Sequence, residues 1–110
     1  MTLTHAARRS LYKILWNFKI VKIQLDRNIR SMNRLYQECK DFWKWRIELS
    51  MLIPNENYDA RHVENIDKWL FILCQANVND ELTDDQFMEM KGNFNEGCDA
   101  LLEIISRPTR

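Results

Sequence analysis

Apolar residues in the first half of the chain recur at helical spacing. Residues 11–25 carry two such stripes along one helix. Leu11, Ile14, Phe18, Val21 and Leu25 form the first, and Tyr12, Trp16, Ile20 and Ile23 form a second on roughly the opposite side. A helix that is apolar around most of its circumference needs neighbours around most of it. Lys13, Lys19 and Lys22 interrupt the pattern, so the segment is not one to sink in hydrocarbon. It reads as the central helix of a small all-α protein, with one face for its own core and one for another surface.

The first stripe continues in phase. With Leu11 at heptad position a, the a and d positions run Leu11, Ile14, Phe18, Val21, Leu25, Asn28, Met32, Leu35, Cys39, Phe42, Arg46, Leu49 and Ile53. Only Asn28 and Arg46 among them are polar, and no Gly or Pro occurs from His5 to Ile53. Unbroken phase of this coiled-coil type favours one continuous helix, which at 1.5 Å per residue runs about 70 Å and needs a second chain to cover it. The competing reading breaks the segment near Asp26–Ser31, where Asp26, Asn28 and Ser31 weaken helix propensity. That gives four helices of matched length, the proportions of an up-down bundle. The pattern leaves the two readings level.

The later boundaries are sharper. Pro54-Asn-Glu-Asn-Tyr-Asp59 is a loop, with Asp59 as N-cap and Tyr58 and Val63 as a hydrophobic staple. A helix over about 60–76 is expected to bury Val63, Ile66, Leu70 and Leu73. Thr83-Asp-Asp-Gln86 is a capping box with Leu82 and Phe87 as its staple, opening a helix over about 84–106. Gly92 and Gly97 within it each cost about 1 kcal/mol relative to Ala, which suggests a close helix crossing. The fold class is therefore all-α: one domain over 1–110, a bundle of three to four helices.

Composition agrees with a folded chain, at 45% hydrophobic and 29% charged. The zero net charge conceals a split, with eleven Lys/Arg against three acids over residues 1–46 and five against thirteen beyond. Internal pairing of the two halves, within the chain or across a dimer, is the simpler outlet; a surface for nucleic acid or anionic lipid is the sharper one. Cys39, Cys74 and Cys98 lie beside apolar helix positions and read as buried free thiols, which points to a reducing, cytoplasmic compartment. No apolar run reaches the length of a transmembrane span. The acid-free, Arg-bearing N-terminus has a transit-peptide flavour, but residues 11–25 read as core that the domain retains.

Candidate chemistry is sparse. His5 and His62 are the only histidines, no paired-ligand motif accompanies them, and Asp59 and His62 read as a cap and a first-turn surface residue. The stretch from Asn77 fails the calcium-loop pattern, with Leu82 in place of the glycine and Met88 in place of the final glutamate. No nucleophile elbow or phosphate loop is present, so no metal or other cofactor is expected and the chain is read as non-enzymatic. Phe42-Trp-Lys-Trp-Arg46 places Trp43 and Trp45 on either side of the seam, aromatic beside cationic as in interface hot spots. The expected function is that of a protein–protein interaction module of inhibitor, immunity, antitoxin or adaptor type, self-association as a homodimer included. Its docking residues are Tyr12, Trp16, Ile20 and Ile23, with Trp43 or Trp45. The alternative is a nucleic-acid-binding regulator using Arg27, Arg30 and Arg34, which share a helical face.

Overall fold

In a computed structural model, residues 3–53 and 60–107 are described. They form five helices: α1 (His5–Asp26), α2 (Met32–Cys39), α3 (Phe42–Leu52), α4 (Ala60–Cys74) and α5 (Asp84–Ile105). Lys40 and Asp41 alone separate α2 from α3. Counted as one bent arm, these two make the molecule a four-membered helical bundle, with no named strand among the described residues. Its extents are 49 × 22 × 20 Å, well short of a 70 Å rod.

The chain turns after α1 because the local chemistry there closes the helix. Asn28 adopts a left-handed φ of 63°, a conformation its short polar side chain tolerates better than most. Its N–H donates to Leu25 O at 2.9 Å, and Ile29 N–H donates to Gln24 O at 3.1 Å. These two bonds are the Schellman closure that satisfies the last carbonyls of a helix. Ser31 then caps α2 by accepting from Arg34 N–H at 3.3 Å. The turn is held to the α4–α5 connection by Met32 N–H to Asp80 O (3.0 Å) and Leu82 N–H to Arg30 O (2.9 Å). The hairpin reading is therefore the one realised. Heptad phase runs through the turn because Leu35, Cys39, Phe42, Leu49 and Ile53 all face the core that α1 faces; periodicity records the buried side, not the direction of travel.

The expected capping box at the start of α5 is present in both halves: Gln86 N–H donates to Thr83 Oγ1 at 3.1 Å, and Thr83 N–H donates to Gln86 Oε1 at 3.0 Å. Phe18 sits at the centre of the core. Its ring meets Trp45 at 5.4 Å, Phe42 at 6.0 Å and Phe94 at 6.2 Å, all edge-on, a favoured arrangement of aromatic quadrupoles. α1 and α5 run antiparallel as the most extensively packed pair. At one end Arg8 donates to the carbonyl of Ile105, an orphan acceptor at the end of α5, and to that of Arg107 just beyond it (2.7 Å). At the other, Lys91 pairs with Asp26 at 3.4 Å.

Several expectations shift. α4 ends at Cys74, not near 76, and its buried residues are His62, Ile66, Trp69 and Leu73, with Val63 and Leu70 only half-buried. The face is rotated because Trp69, fully buried, outweighs the smaller side chains. Gly97 is buried, consistent with a close crossing, but Gly92 is exposed and a Cβ there meets nothing within 4 Å. Cys74 is exposed, unlike Cys39 and Cys98. The expected cap and staple at Asp59 and Tyr58 lie outside the described residues.

Candidate docking surface on the first helix

The inner face of α1 consists of Leu11, Ile14, Leu15, Phe18, Val21 and Leu25, all buried. Half a turn away lie Tyr12, Trp16 and Ile23, which are 49, 63 and 42% exposed, and Ile20, which is half-buried. The helix wheel thus separates the two stripes as the sequence implies, and the described residues bury the first fully but the second only at Ile20, in part. Tyr12 and Trp16, with Arg9, Lys13 and Asn17, border a shallow, open depression on the outer face of α1. Lys13 also edges a second, of about 240 Å³, shared with Ser10, Glu48, Met51 and Leu52 where α1 meets the end of α3.

The two tryptophans of the Phe42–Arg46 motif part company. Trp45 is buried against Phe18 and Phe42 (5.4 and 4.5 Å between ring centroids) and so leaves the docking set. Trp43 is exposed, with Lys44 Nζ 5.5 Å from its ring, but it stands in a stripe of its own. Ile47 and Met51 follow it at four-residue spacing on α3, both exposed. That spacing is visible in the sequence; heptad labelling from the α1 seam hides it by drawing the eye to Phe42, Leu49 and Ile53.

Arg27, Arg30 and Arg34 do not make one open basic face. Arg30 is committed: its guanidinium bonds Asp84 and lies 4.4 Å from the centre of the Phe87 ring. Arg27 forms the C-cap of α1 and Arg34 is exposed on α2. Arg46 of the basic half likewise meets Asp67 of the acidic half at 3.2 Å. Part of the charge split is thus settled within the chain. Arg9, Lys13 and Lys19, all exposed on α1, enter no ion pair among the described residues.

His62, expected at the surface, is buried. It lines a narrow cleft of about 10 Å³ with Phe18, Asn65, Trp69, Asn93 and Gly97, room for about one water. Trp69 donates its indole N–H to Asn93 Oδ1 at 2.8 Å. Among the described residues the polar lining of this cleft is amide and imidazole. Among the described residues no cluster of His, Cys, Asp and Glu is placed to hold a metal ion, and no helix is long and apolar enough to cross a membrane. Burial pushes the Cys39 thiol well above its ordinary range, helped by Glu38. The Cys98 thiol is raised by burial as well, against the opposing pull of Lys22 and Lys19. Both stay protonated near neutrality, which makes them poor nucleophiles. No protein-family model matches this chain, and no curated protein matches it in sequence.

Proposed function

We propose that the protein is a non-enzymatic interaction module that docks a partner protein on the outer face of α1, through Tyr12, Trp16 and Ile23 with Ile20 at the margin. The observation that carries this reading is the exposure of Trp16, at 63%, between two other large apolar side chains on a rigid helix. Burying such side chains contributes about 25 cal/mol per Å², and aromatic anchors supply most of the energy of protein interfaces. Arg9, Lys13 and Lys19 flank the stripe and would steer an encounter with an acidic surface. Trp45 and Arg30 take no part, since the core holds one and Asp84 the other.

The test is photocrosslinking in cells, with p-benzoylphenylalanine at position 16 and, as control, at exposed Gln37 on α2. A discrete protein adduct is expected from position 16 alone. Equal or absent adducts at the two positions would overturn the reading.

A further inference from the structure

We infer that the occupant of this face is a second copy of the chain, each α1 lying over the partner's α5 about a two-fold axis parallel to the helices. The inference rests on the docking reading above and adds the partner. Between Thr4 and Leu25, α1 carries cations and no acid. Beyond Gly92 the exposed charges of α5, Glu96, Asp99 and Glu103, are all acidic, and none enters an ion pair among the described residues. A cationic stripe and an anionic stripe therefore run side by side on neighbouring antiparallel helices.

Charge then selects the geometry. Two copies can meet face to face about an axis across the helices or along them. The first sets α1 on α1, cation against cation, which is repulsive. The second sets α1 on the partner's α5, cation against anion, twice by symmetry. A nucleic acid or an anionic bilayer broad enough to cover α1 meets the carboxylates of α5 one helix spacing away, about 8–10 Å and within a Debye length. A face 49 Å by 22 Å has room for the roughly 800 Å² per partner of a standard interface.

An axis along the helices also preserves height, so the register within one chain carries over to the dimer. Arg8 beside the carbonyls of Ile105 and Arg107, and Asp26 beside Lys91, set Lys13 level with Glu103, Lys19 with Glu96 and Ile23 with Gly92. The same pairs stand level with each other across the dimer. Gly92 is exposed in mid-helix with open space about it, a position at which alanine is ordinarily preferred. The partner's Ile23 seated there gives the missing side chain a purpose.

Light scattering over a dilution series reads the result. The unmodified chain is expected at twice its 13.3 kDa mass when concentrated, dissociating on dilution. Lys13→Glu with Lys19→Glu, and separately Glu96→Lys with Glu103→Lys, should each weaken the dimer at least tenfold with helix content unchanged. Mixing the two variants should restore a dimer, since each then meets its opposite on both sides. Gly92→Leu should also yield monomer, with no loss of monomer thermal stability. A wild-type monomer at about 100 µM overturns the self-partner while leaving a foreign adduct at position 16 intact. A dimer indifferent to both charge reversals, or variants that fail to rescue each other, overturns the geometry.

Discussion

The inner and outer faces of α1 are built from the same kinds of residue, at the same spacing, on one helix. Leu11, Ile14, Phe18 and Val21 are at most 1% exposed, whereas Tyr12, Trp16 and Ile23 are 42–63% exposed. Composition does not separate the two stripes; what lies opposite them does. Apolar periodicity announces that a face needs a cover and is silent about who provides it. Their margins differ as well. The outer stripe is flanked by Arg9, Lys13 and Lys19, whose alkyl stems shield aromatic surface while the charges stay in water. Such a face is tolerable in the free protein and available for docking.

The largest effect that sharpens the contrast belongs to Trp45. Truncation to alanine removes a buried indole from between Phe18 and Phe42, and large-to-small changes of this kind cost about 3–5 kcal/mol. Against the 5–15 kcal/mol typical of a domain, Trp45→Ala should lower the urea midpoint severely. A loss below about 1 kcal/mol would mean that the aromatic cluster is not the anchor of the inner side.

Asn93→Ala should come next. It strips the buried indole N–H of Trp69 of its acceptor, an omission that costs about 1–3 kcal/mol. Trp69→Phe removes the donor too, so the double variant should lose less than the two singles combined. Strict additivity in urea titrations would show that the 2.8 Å bond does not couple the two residues.

How far the chain can be read unaided follows from the same contrast. The capping box at Thr83 was legible because its partners are three residues apart, and the two stripes of α1 because a helix fixes their separation. The fate of Trp43 and Trp45 was not, since both flank the seam and only the angle of α3 against α1 decides which turns in. Nor was the burial of His62, which follows from the size of Trp69 and not from any local signal. The turn at Asn28 was half legible. Its residues weaken a helix, but the decisive bonds, those of Arg30 and Met32 to the Leu82 and Asp80 backbone, span some fifty residues. The commitment of Arg30 is likewise not legible, because Asp84 and Phe87 are distant in sequence.

The smallest expected effect is the most direct probe of the outer stripe. Tyr12 is half exposed, and its hydroxyl makes no hydrogen bond among the described residues. In dilute solution, where monomer prevails, Tyr12→Ala should therefore change stability by no more than about 0.5 kcal/mol, as for an ordinary surface substitution. Stability that depends on concentration reports burial on association, so the same substitution should cost more as the protein is concentrated. Thermal unfolding at two concentrations a hundredfold apart distinguishes the cases. A penalty of about 2 kcal/mol already present at dilution would place Tyr12 with the core residues, and the two faces of α1 would cease to differ in kind. A negligible penalty at both concentrations would keep the faces distinct but remove Tyr12 from whatever covers the outer one.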